Sequence, residues 1–168
     1  TGMYGIGGTV RILGGIVKAE GGKDTGAGIG GGDNGAVDSI QIGGKEGEAP
    51  EVEASSYNIQ YGAAIGSGQN SRLNLKLSCG TINIFSGNLK VKGNIGYGGI
   101  DKNGDNKQIG GSVDISEQVK LKLTDGTIEP RGTTCTFGKK TFRMTVFDNQ
   151  LSDGTYSVKI RFYQEGDT

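Results

Sequence analysis

The stretch GAGIGGG at 26 to 32 satisfies the spacing G-x-G-x-x-G through Gly26, Gly28 and Gly31. That spacing holds a phosphate when a strand precedes it and a helix follows, because the helix amides and dipole then face the anion. Here the glycines run into DNGAVDSIQI, which reads as a loop and a strand, so a turn of the chain is expected rather than a nucleotide site. A second stretch, DKNGDNKQI at 101 to 109, places side-chain oxygens at Asp101, Asn103 and Asp105, the alternate positions used by calcium loops. Asn106 stands where such loops carry glycine, and Ser112 fills the twelfth position instead of glutamate. Calcium is therefore a candidate structural ligand, set against a solvated turn of the same composition.

Tyr4, Tyr61 and Tyr97 recur beside glycines, and a row of exposed tyrosines would stack on sugar rings. The competing expectation is that they cover corners of the chain. Glu46, Glu48, Glu51 and Glu53 form an acidic run around Pro50 that reads as a solvated loop leaving the fold. Paired carboxylates are what glycoside hydrolysis requires, so an enzyme acting on polysaccharide is the alternative. The chain contains no histidine, and its Ser, Cys and Lys nucleophiles lack an evident base, so no catalytic residue is expected. Cys79 and Cys135 fit no metal spacing. They form either a disulfide, worth on the order of 4 kcal/mol in the chain-entropy model, or two buried thiols.

The elements that must position these residues show in a repeat. TVRILGGIVKAEGG at 9 to 22 aligns with TINIFSGNLKVKGN at 81 to 94, matching Thr9 with Thr81, Ile12 with Ile84, Gly15 with Gly87 and Lys18 with Lys90 at an offset of 72 residues. SIQI at 39 to 42 and SVDI at 112 to 115 follow the glycine segments in the same order, and YGAAIGSG at 61 to 68 supplies another glycine corner. Apolar residues alternate with polar ones in TVRI, in LNLKL (Leu73, Leu75, Leu77) and in VKLKL (Val119, Leu121, Leu123), the period of strands with one buried face. No helical periodicity spans three turns in residues 1 to 130. Short strands, glycine corners and a period of roughly 30 to 36 residues predict an all-β fold, a right-handed parallel β-helix, with Val10, Ile40, Ile82 and Val113 in one ladder. A β-sandwich is the alternative.

Glycine corners of the GAGIGGG type alternating with TVRILGGIVKAEGG resemble the glycine-rich repeats of bacterial cell-surface, adhesin-like β-solenoid proteins, over residues 2 to about 128. The resemblance implies a secreted, non-enzymatic surface module at the cell exterior, a stalk or an adhesin, in some cases carbohydrate-binding. The partners it implies are glycans or neighbouring domains of a larger surface protein. KEGEAPEVEASS and DKNGDNKQ depart from the repeat pattern.

Residues 131 to 168 form a second unit of different composition. They hold six of the eleven aromatics, and TFRMTVF and TYSVKIRFY alternate around DNQLSDG, which predicts an antiparallel hairpin capping the last coil or docking a neighbour. Acidic and basic residues number 18 each, which gives no electrostatic case for nucleic acid or an anionic membrane. No apolar run approaches the roughly 20 residues of a membrane span, and the first residues lack the pattern of a signal peptide.

Overall fold

The computed structural model describes residues 4–23, 25–44, 48–58, 60–71, 77–99, 110–116, 118–128, 134–137, 140–150 and 156–164, the last three through their strand pairing. Among the described residues there is no helix. The chain instead passes through the same succession of strands again and again. The first pass holds β1 (Thr9–Ile12), β2 (Ile16–Glu20) and β3 (Ile29–Gly30), and the second β4 (Ser39–Ile42), β5 (Glu51–Ser55) and β6 (Ile65–Gly66). The third holds β7 (Thr81–Ile84), β8 (Gly87–Lys92) and β9 (Ile95–Gly96), and the fourth β10 (Ser112–Ile115) and β11 (Val119–Thr124). Equivalent strands pair in parallel, giving three sheets ordered β1-β4-β7-β10, β2-β5-β8-β11 and β3-β6-β9. A parallel bridge from Ile95 to Ile128 continues the third sheet. A β-sandwich would pair its strands antiparallel.

Register turns the sequence repeat into columns. Val10, Ile40, Ile82 and Val113 stack one above another, as do Ile12, Ile42, Ile84 and Ile115. In the second sheet the columns are Val17–Val52–Leu89–Leu121 and Ala19–Ala54–Val91–Leu123. Ile29, Ile65, Ile95 and Ile128 complete the interior. Ile40, Ile42, Ile65, Ile82, Ile84 and Ile95 have no accessible surface. Burying each such side chain contributes roughly 1.5–3 kcal/mol, and β-branched residues suit the pleat that carries them. The steps between equivalent positions are uneven: Ser39 to Thr81 spans 42 positions, more than the expected period, yet the register on either side is kept.

Two sequence expectations change here. The acidic segment expected as a loop is in part a strand, since Glu51–Ser55 is β5 and lies between β2 and β8. Val52 and Ala54 are buried while Glu51 and Glu53 are exposed, so the charges occupy the outer face of a strand whose inner face is apolar. The glycine corners are likewise strands: their Ile-Gly pairs form the third sheet. A Cβ on Gly30 would lie 1.9 Å from the Gly66 carbonyl oxygen, and one on Gly66 would lie 2.0 Å from that of Gly96. With φ of 137° and 138°, these glycines also occupy backbone space that side chains avoid. Asparagines fasten successive turns. Buried Asn34 accepts hydrogen bonds through Oδ1 from the Ser71 amide at 2.9 Å and hydroxyl at 3.1 Å. Asn94 Oδ1 accepts from the Thr127 amide at 3.0 Å.

Beyond residue 128 the pairing becomes antiparallel. β12 (Thr134–Phe137), β13 (Lys140–Gln150) and β14 (Tyr156–Gln164) form a sheet in that order. The hairpin read from the sequence is longer than expected, because Asp148, Asn149 and Gln150 pair with Val158, Ser157 and Tyr156 rather than forming the turn. A third strand, β12, joins it, and β12 and β14 lie against β10 and β11 of the last parallel turn.

The glycine stack yields a direct prediction. Gly66→Ala, which must displace a backbone carbonyl at positive φ, destabilises by about 2–4 kcal/mol. Gly14→Ala, with nothing within 4 Å of the added carbon, changes stability by less than about 1 kcal/mol. Urea denaturation of the two variants beside the parent measures the difference.

Candidate functional site

With the aliphatic residues turned inward, the intervening residues of each strand form rows on the outside. On the first sheet the register places Arg11, Gln41, Asn83 and Asp114 in one such row. Arg11, Gln41 and Asn83, with Leu13, Glu48 and Phe85, line a groove of about 630 Å³. Gln41 Nε2 donates to the Gly43 carbonyl at 3.2 Å, which orients its amide along the strand end. Guanidinium, amides and a partly buried aromatic ring supply hydrogen-bond donors, acceptors and an apolar plate side by side.

The outer face of the second sheet carries charge. Its rows are Ile16–Glu51–Asn88–Lys120 and Lys18–Glu53–Lys90–Lys122, and together they line a groove of about 700 Å³. Lys18 Nζ lies 3.7 Å from Glu53 Oε2. Both side chains are largely exposed, so this pair contributes at most about 1 kcal/mol. Lys90 and Lys122 stand directly opposite each other.

Of the proposed tyrosine row, Tyr61 and Tyr97 come near each other along the backbone, since the Tyr61 carbonyl accepts from the Gly99 amide. Tyr97 follows Gly96 and so shares a register position with Ser67; it packs against the core, and its hydroxyl donates to the Gly110 carbonyl at 2.9 Å. Tyr61 precedes Gly62, which stacks on Gly26, while the Tyr4 amide donates to the Asp33 carbonyl at 2.9 Å. Tyr4 is exposed and Tyr61 half-buried. Asp101, Asn103 and Asp105, the candidate calcium residues, lie outside the described residues, as does Glu46. Among the described residues no group of three His, Cys, Asp or Glu converges as a metal site. Of the remaining glutamates, Glu48 lines the first groove and Glu51 and Glu53 the second. Gly26–Gly32 leads into the Asp33–Asn34 turn and then β4, so the helix a phosphate loop needs does not follow it.

Cys79 is a free, buried thiol in contact range of the Gly80 and Gly110 carbonyls; the side chain of Cys135 lies outside the described residues. Burial pushes the Cys79 thiol up to about 11, with the backbone hydrogen bond opposing part of the rise. Asp114 is half-buried, its Oδ1 is enclosed without a hydrogen-bond partner among the described residues, and desolvation raises its pKa. The sequence pattern missed both grooves, because the rows that line them join positions 30 or more residues apart and become neighbours only through register.

Compared with models of protein families, with curated proteins and with solved structures, the chain matches none.

Two measurements follow from these environments. A carboxyl whose folded pKa is raised costs stability above that pKa, and the cost fades as pH falls below the unfolded value. Asp114→Asn is therefore expected to raise the melting temperature at pH 7, by a few degrees, with the gain shrinking toward pH 3; melting curves across that range check the sign. Cys79 is expected to resist iodoacetamide at pH 8 in the native protein and to react once unfolded, because the thiolate is the nucleophile. Peptide mass mapping of the alkylated cysteine reads the outcome.

Proposed function

We propose that this chain is a non-enzymatic module of a bacterial cell-surface protein, a stalk or adhesive segment exposed outside the cell, which binds glycan along its outer faces. The geometry proposed for it is a right-handed parallel β-helix with the antiparallel β12–β14 sheet as its cap. The observation that carries the reading is the first-sheet groove, where Arg11, Gln41 and Asn83 stand in adjoining strands beside Phe85. Inter-strand spacing of about 4.8 Å presents a polar side chain at each step, a pattern suited to the repeated hydroxyls of a saccharide chain. The cap reading is supported by the contact of β12 and β14 with β10 and β11, which covers a sheet edge that would otherwise template further pairing. Calcium bound at Asp101, Asn103 and Asp105 remains part of the proposal as a structural ligand, testable through a rise in melting temperature that Asp101→Ala with Asp105→Ala removes.

The competing reading is an enzyme on polysaccharide, lyase or glycoside hydrolase, using Glu51 and Glu53 in the second groove. A panel of neutral and acidic glycans incubated with the purified chain separates the two. The surface-module reading expects binding of at least one neutral glycan without reducing-end release or unsaturated products. Gln41→Ala with Asn83→Ala is expected to weaken that binding on the order of tenfold, the loss of one or two hydrogen bonds. Product release that stops in Glu51→Gln or Glu53→Gln would establish the enzyme instead.

A further inference from the structure

The second sheet changes its electrostatic character from one end to the other. On its outer face β2 and β5 offer Lys18 and Glu20, then Glu51 and Glu53, so charges of opposite sign neighbour each other. β8 and β11 offer Lys90, Lys92, Lys120 and Lys122, all exposed, with Asn88 and Thr124 in the remaining places. Among the described residues none of these four lysines forms an ion pair, whereas Lys18 pairs with Glu53. Lys90 stands between Glu53 and Lys122, so opposite charges meet on its β5 side, whereas like charges placed directly opposite, as Lys90 and Lys122 are, destabilise a sheet. The folded chain carries this repulsion in the open groove of about 700 Å³.

We infer that the β8–β11 end of this groove binds a linear carboxylated glycan, its acid groups seated among Lys90, Lys120 and Lys122, which line it, and Lys92 beside them on β8. This extends the glycan reading to a second face of the same fold. Charge complementarity calls for an anion, and the arrangement favours a polyhydroxylated one. Lys90 and Lys122 face each other across about 4.8 Å, and Lys92 and Lys120 lie about 6.6 Å further along their own strands, opposite Thr124 and Asn88, a staggered array that meets spaced carboxylates. Asn88, Ser55 and the carboxylates of Glu51 and Glu53 adjoin it, and these accept or donate to sugar hydroxyls. Among the described residues the groove is lined by no aromatic side chain on which bases would stack, and the chain as a whole is neutral.

Alginate serves as the probe, with dextran as the neutral polymer and single-stranded DNA as the competing polyanion, each titrated calorimetrically at low and high salt. The expected result is alginate binding that weakens steeply with salt and weakens on the order of tenfold in Lys90→Gln with Lys122→Gln, while dextran binding stays as in the parent. The same variant is expected to melt at or slightly above the parent temperature, because a repulsive pair is gone; a lower melting point would mean that the lysines serve the fold. No alginate binding at low salt, or binding indifferent to the substitution, overturns the inference, and tighter binding of DNA overturns its choice of a glycan. Neutral-glycan binding that responds to Gln41 and Asn83 but not to Lys90 and Lys122 leaves the first-groove reading standing and removes this one alone.

Discussion

Everything in the parallel region depends on how closely one pass of the chain rests on the next. At the Ile-Gly pairs of the third sheet a carbonyl oxygen occupies the space where any side chain would begin, so the glycines at 30 and 66 set both spacing and register. Once that register is fixed, each aliphatic residue meets its counterpart and the backbone amides find their carbonyls in the neighbouring strand. Hydrophobic burial supplies most of the stabilisation, but it is indifferent to which isoleucine lies over which. The glycine contact, with the asparagine bridges from Asn34 and Asn94, removes that indifference.

What was legible in the sequence follows from this division. Alternating aliphatics announce β1, β4, β10 and β11, and the 72-residue repeat identified which ones share a column: Val10, Ile40, Ile82 and Val113 do stack as that pattern required. β5 was hidden because two glutamates and the preceding Pro50 outweigh Val52 and Ala54 in any reading by composition. β3, β6 and β9 were hidden for another reason. Two residues cannot display a period of two, so a strand of Ile and Gly looks like part of a turn.

The candidate sites were less legible than the fold. Of the tyrosines noticed for their recurrence beside glycine, Tyr97 is engaged with the core and the Gly110 carbonyl. The grooves, by contrast, are assembled from residues unremarkable in their own segments. Lys90 and Lys122 gain meaning only as neighbours across a strand pair, and Gln41 and Asn83 likewise. A linear reading has no access to such neighbours until the stacking order is known.

The uneven length of the passes carries a consequence for how such a chain changes over generations. Thr9 to Ser39 takes 30 positions and Ser39 to Thr81 takes 42, yet both steps land in register. What must be conserved in such a design is the arrival of certain residues at certain columns, and the length of chain used to reach them is free. Insertions between strands thus become raw material: a lineage can lengthen one excursion and decorate it while the stacked body beneath stays the same.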